Sequence, residues 1–88
     1  MIQRRVTVAN RLGLHARAAA KLVGLANRFK ARVTVSTQQM AADAKSILGV
    51  LTLAAGKNTQ ILLEADGPDE QAAIDEIAAL IDAKFGEE

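Results

Sequence analysis

The sequence predicts an α+β fold, a two-layer sandwich in which three helices cover one face of a four-stranded antiparallel sheet. One observation is that short segments with two-residue alternation and longer segments with helical spacing follow each other in the order βαββαβα. The other is that the strand-like segments mostly alternate apolar and polar residues, which is typical of a sheet with one solvated face. The chain has 88 residues, so we expect a single domain over residues 1–88.

The first half of the chain supplies a strand, a helix and two further strands. Residues 2–8 contain β-branched residues in partial alternation and predict the first strand. Residues 10–13 interrupt it, and residues 16–27 carry apolar side chains at helical spacing. Residues 32–37 place two valines on one face, as a half-buried strand does. Residues 39–43 are interpreted as a short partner strand across a tight turn.

The second half supplies a short helix, a strand and the longest helix. Ser46 opens a helical segment over residues 46–53, and residues 56–58 form a turn. Residues 60–65 alternate and predict the fourth strand. Pro68 fits the first position of the last helix, where its missing N–H is no loss. The apolar stripe of that helix consists of Ile74, Ile77, Ala78, Ile81 and Phe85.

The composition argues against several function classes. The net charge of +1 gives no pull toward nucleic acid or membranes, and the only two aromatic residues are phenylalanines. Without cysteine there are no disulfides and no thiolate metal sites. No apolar run approaches the roughly 20 residues that span a bilayer, and the first ten residues turn polar too early for a signal peptide. We therefore expect a cytoplasmic protein with no metal and no cofactor.

His15 is the only histidine, and it lies where the first helix is expected to begin. The unpaired N–H groups and the dipole of a helix start favour a neutral imidazole, whose lone pair is a nucleophile, and they stabilise an anion attached there. Arg17 adds a guanidinium suited to phosphate. The pattern indicates a histidine that accepts a phosphoryl group. The residues alone leave open a second reading, in which His15 is only a surface cap.

Ser46 is a typical helix N-cap, and on pattern alone that is its whole role. The helix that follows is too apolar for its length, so some of its side chains should be exposed and form a docking surface. A phosphate on Ser46 would place nearly two negative charges beside that surface. The apolar side chains concerned are Ile47, Leu48, Val50, Leu51 and Leu53.

Three segments together resemble HPr, the family of histidine-containing phosphocarriers of the phosphoenolpyruvate-dependent phosphotransferase system. They are residues 13–20 (GLHARAAA), 44–57 (AKSILGVLTLAAGK) and 64–70 (EADGPDE). The resemblance covers essentially the whole chain in length, element order and motif spacing. It implies the open-faced β-sandwich of that family.

The resemblance also implies roles for individual residues. His15 would accept a phosphoryl group on Nδ1 from enzyme I and pass it to an EIIA domain, and Arg17 would steady that group. Ser46 matches the serine that an HPr kinase/phosphorylase modifies in many bacteria. The protein would be a monomeric carrier and not an enzyme. The residues that match the partner-docking patch are Ile47, Leu48 and Leu51.

Four positions depart from the family pattern. Ala18 stands where the family usually has proline, which restores one N–H in the first helical turn. Asn58 stands where glycine is frequent, and asparagine tolerates the left-handed geometry of such a turn. Gly24 and Asn27 lack the lysines that some relatives place near the partner surface, which weakens the expected charge at docking.

Two rival functions stay open at this point. One is a regulatory protein of a nitrogen-related branch of the same system, in which phosphorylation of His15 is a signal and no sugar is transported. The other is a binding module that uses the apolar patch, with His15 merely a cap. An independent enzyme is the least expected, because the chain offers one nucleophile and no sign of a closed pocket.

Overall fold

A computed structural model describes residues 1–87 and has the predicted order of elements. The strands are β1 (Ile2–Thr7), β2 (Arg32–Ser36), β3 (Ala41–Asp43) and β4 (Gln60–Asp66). The helices are α1 (Ala16–Ala26), α2 (Ile47–Thr52) and α3 (Glu70–Asp82), and a single 3₁₀ turn follows at Lys84–Gly86. The predicted α+β fold class is confirmed, and the predicted boundaries of most elements differ from these by one or two residues.

The four strands form one antiparallel sheet in the order β1-β4-β2-β3. β4 is the inner strand that pairs with both β1 and β2, and its alternation is clear: Ile61, Leu63 and Ala65 are buried while the residues between them are more exposed. Val33 and Val35 of β2 are buried on the same side. The helices therefore cover one face of the sheet, as an amphipathic pattern with period two requires.

The core lies between that face and the buried stripes of the helices. α1 contributes Ala18, Ala19, Leu22 and Ala26, and α3 contributes a longer stripe of isoleucines and alanines. Each fully buried Leu or Ile contributes roughly 1.5–3 kcal/mol relative to exposure, so these stripes fix how the helices lie on the sheet. Within residues 1–87, no helix is both long enough and apolar enough to cross a membrane.

The predicted start of the last helix is wrong. Pro68 lies outside α3, and Asp69 is the N-cap. The physical reason is a long-range contact: the Asp69 carboxylate accepts hydrogen bonds from the backbone N–H groups of Lys30 and Ala31, both at 2.8 Å. These bonds, with that from Lys30 first, lower the pKa of Asp69 against the opposing effect of burial. The aspartate therefore ties the loop before β2 to the start of α3.

Phe85 is buried as its place in the apolar stripe predicted, but it is not in the helix. α3 ends at Asp82, and the chain then turns with Lys84, Phe85 and Gly86 all at positive φ, 58°, 56° and 75°. Phe85 reaches the core from this turn and is only 1% exposed. Helical spacing thus predicted the burial of Phe85 correctly and its secondary structure wrongly.

Candidate functional site

His15 is the N-cap of α1, at the helix start where the sequence places it. Its backbone is extended, with φ −72° and ψ 177°, and its carbonyl accepts the first helical hydrogen bond from the N–H of Ala19 at 2.8 Å. The ring turns back on the helix, so that Nδ1 accepts a hydrogen bond from the backbone N–H of Arg17 at 3.2 Å. The imidazole therefore does what a Ser or Asp side chain usually does at an N-cap.

The loop before His15 is anchored on the segment that follows α2. Gly13 has φ +64°, and a Cβ at that position would lie 2.4 Å from the carbonyl oxygen of Ala55. The same oxygen accepts a hydrogen bond from the N–H of Leu14 at 2.8 Å. Only glycine fits this close approach, because both its conformation and its lack of a side chain are needed.

Glu87 is a contact of His15 that the sequence did not predict. Its Oε1 lies 2.7 Å from His15 Nε2 and accepts a hydrogen bond from Asn10 Nδ2 at 2.8 Å. The hydrogen bond with His15, and then that from Asn10, lower the pKa of the Glu87 carboxyl although partial burial opposes them. Glu87 lies 72 positions from His15, and no local pattern in the sequence joins the two.

A shallow cleft surrounds the histidine and is open to solvent. His15 and Arg17, the two residues singled out in the sequence, line it together with Arg11, Leu12, Ala16 and Glu87. Arg17 is exposed, and its guanidinium forms no ion pair with any residue from 1 to 87. The cleft thus combines one imidazole ring and two arginines and is accessible from solvent. In the described part of the chain, no three His, Cys, Asp or Glu side chains come together as metal ligands would.

Ser46 is the N-cap of α2, and its Oγ accepts a hydrogen bond from the N–H of Gly49 at 3.1 Å. α2 buries Val50 and turns other apolar side chains outward, as its excess of apolar residues predicted. Leu12 of the His15 loop is a further exposed apolar residue, one that sequence reasoning did not select. The exposed fractions on α2 are 40% for Ile47, 74% for Leu48 and 37% for Leu51.

His15 and Ser46 lie at opposite ends of the antiparallel pair α1 and α2. Near Ser46, the side chain of Asn27 at the end of α1 donates a hydrogen bond to the carbonyl of Lys45 at 3.2 Å. At the other end, the loop before His15 is bonded to Ala55 after α2. α1 has 11 residues and is about 16 Å long, so a charge on Ser46 is a helix length from the imidazole.

A family model described as "PTS HPr component phosphorylation site" matches residues 2–83. The chain belongs to the HPr family. It is a phosphocarrier of the phosphotransferase system, and that role implies contact with other proteins of the system.

Individual HPr relatives cover nearly the whole chain. The phosphocarrier protein HPr of Cupriavidus necator is 54% identical over 87 residues, 99% of this chain and 98% of the relative. The phosphocarrier protein NPr of Shewanella violacea is 49% identical and covers 98% of this chain and 94% of its own length. The crystal structure of HPr-C-His from Thermoanaerobacter tengcongensis superposes with a TM-score of 0.96 at 38% identity, covering 100% and 99% of the two chains. A crystal structure of an HPr dimer from the same organism is also similar to this chain.

Proposed function

We propose that this protein carries a phosphoryl group on Nδ1 of His15. The observation that supports this best is the orientation of the ring. Nε2 lies 2.7 Å from the Glu87 carboxylate, while the one hydrogen-bond partner of Nδ1 among residues 1–87 is the backbone N–H of Arg17. A neutral imidazole with its proton on Nε2 has its lone pair on Nδ1, which makes Nδ1 the nucleophilic atom.

The transfer step uses that lone pair. Nδ1 attacks the phosphorus of a phosphorylated donor in line with the bond that breaks; the N–P bond forms, and the leaving atom of the donor keeps the bonding electrons. The N–H of Arg17, which now donates to Nδ1, becomes free to donate to a phosphoryl oxygen. The exposed guanidinium of Arg17 supplies positive charge on the same side. Delivery to the acceptor is the same step in reverse.

We propose enzyme I as the donor and an EIIA domain as the acceptor. The open cleft supports two partners that need the same atom in turn, and the chain then acts as a cytoplasmic carrier and not as a catalyst. The patch of Ile47, Leu48 and Leu51 lies on the helix that packs beside α1, and a small apolar surface of this kind suits weak, quickly exchanging complexes. That the carrier is monomeric stays a prediction.

Ser46 is proposed as a regulatory phosphorylation site for an HPr kinase/phosphorylase. Its hydroxyl is exposed and adjoins the patch. Because a helix length separates it from His15, a phosphate there would act on partner docking and not directly on the imidazole. Its expected effect is therefore on the affinity for enzyme I.

A regulatory phosphocarrier that serves no sugar transport is the second candidate. It is kept because a relative at 49% identity is named NPr and not HPr. Transfer from this chain to purified EIIA domains of both kinds would separate the two candidates, since each predicts a different preferred acceptor.

The test of the carrier function is incubation with enzyme I, magnesium and phosphoenolpyruvate, followed by intact-mass measurement. We expect one added phosphate that is lost in acid and stable in alkali, as a phosphohistidine is. No added phosphate with an enzyme I that phosphorylates another HPr would contradict the proposal. A phosphate stable in acid would assign the modification to a hydroxyl instead.

A further inference from the structure

The Glu87 carboxylate joins two side chains from the loop and helix start that hold the nucleophile. Its Oε1 is shared by His15 Nε2 at 2.7 Å and Asn10 Nδ2 at 2.8 Å. The side chains of His15 and Glu87 are only 25% and 21% exposed, so water competes for these contacts less than at an open surface. Glu87 follows Phe85, the last buried apolar residue of α3 and the turn after it, so its carboxylate lies at the edge of the core.

Asn10 donates a hydrogen bond to the same carboxylate oxygen that His15 contacts. It is fully buried, and its Nδ2 donates both to the carbonyl of Gly13 at 2.7 Å and to Glu87 Oε1. Both neighbours of that nitrogen can only accept, which fixes the orientation of the amide. An ionised carboxylate has no hydrogen to donate, so Glu87 Oε1 accepts from both of its neighbours and His15 Nε2 bears the hydrogen between them.

The backbone is strained in the turn that brings Glu87 to His15. Lys84 and Phe85 have φ of 58° and 56°, in the left-handed region that non-glycine residues seldom occupy. Two contacts hold the turn: Phe85 is buried in the core, and its carbonyl accepts a hydrogen bond from Lys21 Nζ at 2.6 Å. Strained backbone that is held by its surroundings is concentrated at functional sites. The strained turn here precedes Glu87 and places its carboxylate beside His15.

We propose that Glu87 is a positioning residue for phosphoryl acceptance, and that residues 84–87 are a strap that delivers it. By accepting the Nε2 hydrogen, Glu87 holds the ring in the tautomer and orientation that present the Nδ1 lone pair to the donor. Asn10 holds the carboxylate in turn. This inference rests on His15 being the phosphoryl acceptor, and it adds a residue that acts through His15 without touching the phosphoryl group.

The decisive measurement is the tautomer ratio of His15, read from the ¹⁵N shifts of the two ring nitrogens in the unphosphorylated protein. We expect wild type to hold the Nε2–H form, and Glu87→Ala to lower the ratio of Nε2–H to Nδ1–H by about two- to tenfold, the range of one net hydrogen bond. Glu87→Gln keeps an oxygen that accepts from both donors and should restore most of the ratio. Glu76→Gln, an exposed change of the same charge on α3, is the matched control.

The transfer rate from enzyme I is the second measurement. Glu87→Ala should accept phosphate several-fold more slowly than wild type, with Glu87→Gln between them and Glu76→Gln unchanged. A Glu87→Ala protein with the wild-type tautomer ratio and the wild-type rate would overturn the inference while leaving His15 as the acceptor. A wild-type protein that enzyme I does not phosphorylate would overturn the proposed function and with it the role in transfer; the tautomer ratio would still decide whether Glu87 orients the ring.

Discussion

The starts of α1 and α2 are capped in the same way but held very differently. In both, a side chain accepts a hydrogen bond from the backbone of the first turn: His15 Nδ1 from Arg17, and Ser46 Oγ from Gly49. The imidazole is also fixed on its far side by Glu87, whereas the serine hydroxyl is exposed. The first arrangement orients the imidazole that we propose as the nucleophile. The second leaves a hydroxyl accessible beside an apolar surface.

Replacing each N-cap residue by alanine should give the largest difference between the two helix starts. His15→Ala should abolish phosphoryl acceptance completely, because no other imidazole exists in the chain, while loss of the cap costs about 1 kcal/mol of folding stability. Intact mass after incubation with enzyme I and phosphoenolpyruvate measures acceptance. Ser46→Ala is the matched control, since it removes the other cap and should keep acceptance. Phosphate on the His15→Ala protein would contradict the assignment of His15 as the phosphoryl acceptor.

A charge at the second cap should act at a distance and only on docking. We expect Ser46→Asp to lower kcat/KM for transfer from enzyme I by about tenfold, equivalent to 1.4 kcal/mol, mostly through a higher KM. Ser46→Asn is the control, because both side chains are good N-caps and only one is charged. Steady-state transfer kinetics at low and high salt measure the effect. Equal kinetics for the two variants would argue against charge at the patch as the switch.

The contact between Glu87 and His15 Nε2 predicts that the stability of the fold depends on pH. The pKa of Glu87 is lowered in the folded protein, so its carboxylate stabilises the fold above the ordinary value of 4.5. This stability is lost as the pH falls through the lowered folded pKa. Wild type should therefore melt at a higher temperature than Glu87→Gln at neutral pH, and the difference should vanish in strong acid. A difference that persisted there would assign the effect to packing.

The smallest effect is expected from restoring the proline of the family at the first turn of α1. Ala18 is the third helical residue, where an N–H has no partner within the helix, so Ala18→Pro breaks no helical hydrogen bond. Phosphoryl acceptance should change by about fivefold at most, since one hydrogen bond typically contributes about 1 kcal/mol. Circular dichroism checks the fold, because Ala18 is fully buried. A folded variant that accepts no phosphate would show that this N–H takes part in transfer.

Sequence reasoning succeeded where a pattern is local. The alternation of β4, the helical spacing of α1 and the N-cap at Ser46 each depend on neighbours within a few positions, and the structure has all three. The left-handed turn expected at Asn58 is also present, with φ 71°. Local patterns were enough to place His15 at a helix start, and the family resemblance supplied the role that we propose for it.

Sequence reasoning failed where residues far apart in the chain are in contact. Pro68 was placed in the helix because nothing nearby shows that Asp69 accepts hydrogen bonds from the loop before β2. Asn10 was read as the end of a strand, yet it is fully buried and holds Glu87. Such contacts are set by tertiary packing, and a single sequence carries no periodic signal for them.

Gly13 allows the loop before His15 to pack directly against the segment that follows α2. Its bare Cα lies against Ala55 and Gly56, and the adjacent N–H of Leu14 is bonded to the Ala55 carbonyl. The loop that carries His15 is therefore held against the segment that follows α2. In the complex that we propose, a partner docked on the outer face of α2 is therefore also placed at a defined distance from the imidazole.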